Sequence, residues 1–193
     1  MNSNSYYSYS DWYVLQVKAN REYVIKNMVE NLCGHEIKLL VFSREILHTK
    51  KGREIKLTTP LFPGYIFLYK ELEKVLQTKK HNSLNEFIKP IIFNGVPATV
   101  SQDEMRLLFS TSDNQGLFRL SQGYLTDDGN VQIVQGPLKD IEGKIIFINK
   151  KKRKVRVRLT LFNREVNVSL GLDLIKTKDT LPCSYRYGNQ SLN

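Results

Sequence analysis

A chain of 193 residues can bury one good hydrophobic core or two small ones. With 41% hydrophobic and 25% charged residues, its composition excludes a disordered or disulfide-rich chain. Lys plus Arg outnumber Asp plus Glu by 29 to 19, a formal +10 at pH 7, a balance that favours polyanionic partners such as nucleic acid or an anionic membrane surface and also suits a plain solvated surface.

No apolar run approaches the roughly 20 residues that span a bilayer, and the start MNSNSYYSYS lacks the apolar middle of a signal peptide. The expectation is a cytoplasmic protein that does not engage a membrane. Cys33 lies in an apolar helical pattern and Cys183 in a polar tail, so neither suggests a disulfide framework.

After a polar tail over residues 1–10, WYVLQVK (12–18) predicts a strand with Tyr13, Leu15 and Val17 on one side. A helix is predicted from Arg21 to Cys33, its apolar stripe formed by Ile25, Met28, Val29 and Leu32, capped by Asn20 and ended by Gly34. Residues 37–60 predict two β-rich segments around Lys50-Lys51-Gly52-Arg53, a hairpin with a basic tip. PLFPGYIFLY (60–69) then poses a problem, because after the Pro-Gly turn Tyr65, Phe67 and Tyr69 point one way and Ile66 and Leu68 the other, so both faces are apolar. Either the strand is covered twice within the chain or one face is kept for a partner.

A second short helix is expected over 71–80, a strand at IIF (91–93), and a third helix over 101–109 opening on the capping-box pair Ser101 and Glu104. Small polar residues with Gly116 and Gly123 suggest a linker over 112–127, in which LFRL (117–120) is the stretch able to pair. From 128 to 177 short strands recur between Gly136-Pro137, Gly143, a Lys cluster and Phe162-Asn163-Arg164. Val155, Val157, Leu159 and Leu161 alternate with Lys154, Arg156, Arg158 and Thr160, an inner aliphatic row and an outer basic one. Residues 178–193 read as a disordered tail. The fold class is α+β, an N-terminal α/β sandwich (11–111) and a small C-terminal β-barrel.

The sequence holds no nucleophile-base pair, carboxylate cluster, phosphate-cradling glycine run or metal-ligand spacing, and His35, His48 and His81 are far apart. No catalytic residue, metal or cofactor is expected. Binding chemistry is abundant instead. Residues 143–164 contain nine basic residues and no acidic one, suited to phosphate contact without sequence readout. Lys18, Arg21 and Lys26 flank the first helix, and Lys50, Lys51 and Arg53 crown the hairpin. These six are the candidate nucleic-acid contacts, although scattered surface charge is the better account of any single one.

WYVLQVK, TTPLFPGYIFLY, GPLKDIEGKI and LFNREVNVSLGLDLI occur in an order that resembles the NusG family over residues 11–177, and within it most the specialised antiterminators RfaH and especially LoaP. The resemblance implies an N-terminal domain and a C-terminal KOW barrel. It further implies an aromatic hollow that docks on the β′ clamp helices of RNA polymerase, with Phe62, Tyr65 and Phe67 as pocket residues and Phe93 as the other wall. Gln77-Thr78-Lys79 falls where RfaH-like proteins touch the far side of the nucleic-acid cleft. In the barrel, Phe162 and Arg164 stand in the loop that meets a NusE-type ribosomal protein or Rho, with Asn163 in place of the family's Gly. Lys151, Lys152 and Arg153 are candidates for that partner or for RNA.

The function implied is a non-enzymatic elongation factor, a processive antiterminator acting as a monomer on particular operons and loaded by an RNA hairpin or by non-template DNA. The alternative is an RNA-binding or ribosome-associated KOW protein that never touches polymerase. Because strand-period alternation would smear around a helix, the barrel is expected to stay β whether free or attached. The expectation that follows is an accessible Tyr65 and Phe67 and a Phe162 loop ready for its partner.

Overall fold

The structure, a computed structural model, describes residues 8–81, 87–162 and 164–175. Strand β1 (Trp12–Val17) is the hub of the first sheet. It pairs antiparallel with β5 (Tyr65–Tyr69), Trp12 opposite Tyr69 and Gln16 opposite Tyr65. Its other edge takes β6 (Ile88–Pro90) and β9 (Thr99–Val100), and β2 (Lys38–Leu40) extends the sheet beyond β5.

Both faces of this sheet are buried. Helices α1 (Glu22–Cys33) and α2 (Leu72–His81) cover one of them, packing Ile25, Val29, Leu72 and Val75 into the same cluster as Leu15, Ile66 and Leu68. Helix α3 (Gln102–Thr111) covers the other, where Met105, Leu108 and Phe109 cluster with Trp12, Val14 and Phe67. The capping box at α3 forms as expected, with Ser101 Oγ accepting from the Glu104 N–H at 3.3 Å and Glu104 Oε2 accepting from the Ser101 N–H at 3.0 Å.

Helix α1 departs from expectation in its buried stripe, which is Glu22, Ile25, Val29 and Cys33; Met28 and Leu32 are exposed. Two apolar stripes compete on this helix, and the tie is broken by Glu22, which is buried because its carboxylate is needed. Oε1 accepts from the Gly64 N–H at 2.6 Å and from the Asn20 N–H at 3.1 Å. Asn20 therefore turns the chain with φ 65° instead of capping the helix, and the cap position falls to Arg21. Gly64, at φ 87°, also accepts from the Val17 N–H at 2.8 Å, so the Pro63-Gly64 turn is tied to both β1 and α1.

The hairpin of β3 (Ser43–Lys50) and β4 (Arg53–Pro60) closes on Lys51 and Gly52, both with positive φ, as a two-residue turn of this hand requires. A second small hairpin, β7 (Ile92–Phe93) with β8 (Val96–Pro97), closes on Asn94-Gly95. The segment 112–127 is not a free linker. Its β10 (Leu117–Phe118) adds to β3 in parallel and sinks Phe118 into the core, and its β11 (Ser121–Leu125) is an interior strand of the C-terminal sheet. Small polar residues disguise both strands, since Ser121 and Gly123 are buried by backbone pairing and not by apolar bulk.

The C-terminal sheet runs β12-β11-β15-β14-β13, with β12 (Val131–Gln135), β13 (Ile145–Asn149), β14 (Lys154–Leu161) and β15 (Arg164–Ile175). It curls into a half-barrel around Val155, Val157, Leu159 and Leu161, and the turn α4 (Pro137–Asp140) plugs one end with buried Leu138. The alternation in β14 holds residue by residue, and the segment is β while attached to the rest of the chain. Among the described residues no helix is long and apolar enough to cross a membrane.

Glu22→Ala removes the acceptor of two backbone N–H groups, one of them buried. It is expected to destabilise the protein by about 2 kcal/mol in urea unfolding, against a few tenths for Glu30→Ala on the same helix.

Candidate functional site

The half-barrel lies against the β3-β4 hairpin. Gly171 of β15 approaches so closely that a Cβ there would sit 2.4 Å from the Glu45 carbonyl oxygen and 2.4 Å from Leu120 Cδ2. Polar contacts flank this approach. Arg44 Nη1 donates to the Ser169 carbonyl at 2.6 Å, and its burial pushes the guanidinium pKa down from the ordinary value. Glu45 Oε2 accepts from the Leu120 N–H at 2.9 Å and faces Lys56 at 3.5 Å. Arg153, in the β13-β14 turn, pairs with Glu54 near the hairpin tip and with Asp173 at 3.4 Å.

These contacts decide what becomes of the aromatic face. Phe67 is 0% exposed, its ring centroid 4.9 Å from that of Phe42 and 5.8 Å from that of Phe62, and Phe62 is buried as well. The expected accessibility of Phe67 is therefore wrong. The ring sits in the middle of a strand covered by α3 and packs in one cluster with Trp12, Phe42, Phe62 and Phe109. Tyr65, at the strand end, is partly buried. Phe93 lies on the small β7-β8 hairpin, which projects from the sheet, and is 58% exposed.

Tyr65 and Phe93 nevertheless share one cleft. It has a volume of about 370 Å³, with Phe62, Tyr65, Ile92 and Phe93 on one wall and Leu161, Phe162, Arg164 and Val166 of the half-barrel on the other. Phe162 is half-buried there and takes φ 56°, an uncommon backbone for a bulky residue. The expected free Phe162 loop is thus turned inward, and the two surfaces predicted for separate partners face each other. Asn163 lies outside the described residues.

The basic candidates divide differently. Lys18 and Arg21 are exposed beside the Pro63-Gly64 turn, while Lys26 is engaged with Glu30 at 2.7 Å. Lys50, Lys51 and Arg53 are exposed at the hairpin tip, roughly 25 Å away along strands that rise about 3.3 Å per residue. The first group and the tip do not form one site. The tip is instead brought beside Lys151 and Lys152 by the Arg153–Glu54 pair. Gln77 is exposed and Thr78 half-buried on α2, and the side chain of Lys79 lies outside the described residues.

Arg44, Glu45 and Gly171 were not singled out by the sequence pattern, although a glycine inside a strand signals a close backbone approach. Among the described residues no group of three His, Cys, Asp or Glu side chains is placed to hold a metal. What the site offers is an apolar cleft walled by two segments of the chain and surrounded by cations.

The fold is a two-faced α/β sheet followed by a strand-rich half-barrel, with an apolar cleft between them. The family model described as transcription termination factor NusG matches residues 10–109, and the chain belongs to the NusG family. The transcription termination/antitermination protein NusG of Treponema pallidum (strain Nichols) is 28% identical over 180 residues, covering 84% of this chain and 95% of that protein. Its namesake in Helicobacter pylori (strain ATCC 700392 / 26695) is 24% identical over 167 residues, with 83% and 94% covered. A solved structure described as domain interaction in Thermotoga maritima NusG is 19% identical, covers 84% of this chain and 93% of that one, and has a TM-score of 0.45. At family level the protein is a NusG-like transcription termination/antitermination factor, a class of transcription factors and not of enzymes.

Phe67→Ala is expected to cost about 3 to 5 kcal/mol in urea unfolding, as large-to-small core changes do. Phe93→Ala, on the exposed hairpin, should stay within about 0.5 kcal/mol of wild type. Equal effects would show that the cleft walls and the core are not distinct.

Proposed function

We propose that the protein is a processive antiterminator that binds RNA polymerase through the cleft wall formed by Tyr65, Ile92 and Phe93, with Phe62 and Phe67 supporting that wall from within. The observation that carries this reading is the apolar cleft itself: exposed Phe93, Ile92 and Val96 beside half-buried Tyr65 form a patch with no use in a surface meant only for phosphate. The β′ clamp helices are the partner that the family resemblance supplies. Bridging the polymerase cleft would favour its closed, pause-resistant form, which requires only a higher affinity for that form than for the paused one.

In this reading the first sheet with its helices and the half-barrel, to which β11 belongs, work as two domains, and the free protein is held closed by the Gly171 approach and its flanking arginines. Docking on polymerase then competes with the half-barrel's own Phe162 and Arg164 for the same wall. Opening would also release Phe162 toward a NusE-type ribosomal protein or Rho. Lys18 and Arg21, beside the polymerase-binding sheet, are suited to hold a leader RNA hairpin or non-template DNA during loading on particular operons, the behaviour of a LoaP-like paralog.

Gly171→Ala adds a methyl where the backbone leaves no room and should disfavour the closed arrangement. Binding to a β′ clamp-helix fragment, measured by calorimetry, is expected to strengthen about tenfold in this variant, equivalent to about 1.4 kcal/mol of relieved closure. Tyr65→Ala combined with Phe93→Ala should abolish binding in either background. Full binding by that double variant would remove polymerase docking from this wall.

A further inference from the structure

The outer face of the half-barrel carries an aromatic side chain that neither the core nor the docking cleft uses. The segment IIFIN of β13 would, in a regular strand, send Ile145, Phe147 and Asn149 one way and Ile146 and Ile148 the other. The register against β14 slips between Ile145, opposite Val157, and Phe147, opposite Arg156. This bulge turns two successive apolar residues outward, and Ile146 is 40% and Phe147 52% exposed. A bulge that exposes apolar surface is a costly way to build an ordinary barrel wall, and bulges commonly re-aim a side chain for use.

The surroundings define what fits. Arg156 holds its guanidinium over the Phe147 ring, 5.9 Å from the centroid, and Lys154 and Arg158 extend the same outward row. The neighbouring turn presents exposed Lys151 and Lys152. Of the acidic groups near this surface, Glu165 faces Arg158 at 3.5 Å, Glu54 and Asp173 both pair with Arg153, and Glu142 is exposed just before β13. Among the described residues no carboxylate lies in the row between Lys144 and Arg164. An exposed aromatic sandwiched by a guanidinium within a cationic strip is the chemistry of base stacking with phosphate tracking. Duplex nucleic acid, whose bases are already stacked, would use only the cations.

We propose that Phe147 and Arg156 form a stacking platform for single-stranded nucleic acid, with Arg158, Lys151 and Lys152 holding the flanking phosphates. The site lies on the barrel's outer wall, apart from the Tyr65–Phe93 cleft, and works without polymerase. It therefore stands or falls independently of the docking reading. A strand on this platform can continue past the Arg153–Glu54 pair toward the Lys50-Lys51 tip, so the closed protein offers a longer cationic track than the half-barrel alone.

The test uses the full-length protein and a fluorescein-labelled single-stranded RNA of about 12 nucleotides, within the span of known single-strand sites, with the same RNA annealed to its complement as the control. Fluorescence anisotropy at about 50 to 200 mM salt should show single-strand binding that Phe147→Ala weakens at least about fivefold, Phe147→Trp preserves and Phe147→Leu does not restore. Duplex binding should be the same in all four proteins. Lys151→Ala, which removes one of the proposed phosphate contacts, should flatten the single-strand salt dependence by about 0.7 in log–log slope, the value of one lost phosphate neutralisation. Because the ring is exposed, the variants should melt with wild-type midpoints. Wild-type single-strand affinity in Phe147→Ala, full rescue by Leu, or an equal loss for duplex would each overturn the proposal.

Discussion

The structure depends on strand β5 having to be buried twice. Tyr65, Phe67 and Tyr69 on one side and Ile66 and Leu68 on the other leave no polar face, so β5 must lie inside a sheet with a cover on each side. The helices α1 and α2 provide one cover. On the other side α3 protects the middle of the strand, and the end at Tyr65 is left at the margin of the packed region, where the half-barrel meets it. Apolar surface stranded at the edge of a core is therefore built into this chain from ten residues of sequence onward. The same surface that needs covering in the free protein is the one best suited to a partner.

Two kinds of contact hold the half-barrel in place, and they differ in character. The apolar cluster is continuous from the first sheet through α3 to the half-barrel interior. The closest approach, however, is glycine against backbone at Gly171 and Glu45, framed by Arg44 and Arg153. The hydrogen bond from the half-buried Arg44 guanidinium is charge-assisted and is worth about 1.5 to 3 kcal/mol. The exposed pair at Glu54 is worth less and is screened by salt. The polar contacts and the glycine approach fix the geometry of the junction, and the continuous apolar cluster supplies its packing.

Charge is distributed to match. The basic residues do not form a single patch: one group sits beside the Pro63-Gly64 turn and another spans the hairpin tip and the β13-β14 turn. The second exists as one surface only because Arg153 and Glu54 pin two remote turns together. The half-barrel in its place covers apolar surface and sets the cationic turns side by side. Ionic strength acts on the two in different ways, weakening the phosphate contacts far more than the apolar packing.

Periodicity along the chain determined the elements themselves: the two-faced β5, the helices at 22–33 and 72–81, the capping box at Ser101, the Lys51-Gly52 turn and the alternation of β14. Each is a local rule acting over a few residues, so the sequence alone shows it. Tertiary structure decided which of two stripes on α1 is buried, because a carboxylate was needed at Gly64, a residue 42 positions away from Glu22. It decided that Ser121 and Gly123 belong to a strand, because their burial comes from pairing with β12 and β15 and not from their side chains. It also decided the fate of the aromatic cluster. Phe67, Tyr65 and Phe93 read alike as exposed apolar candidates, yet they are core, margin and surface respectively. Aromatic character is a property of the residue, whereas access to it is a property of everything packed around it.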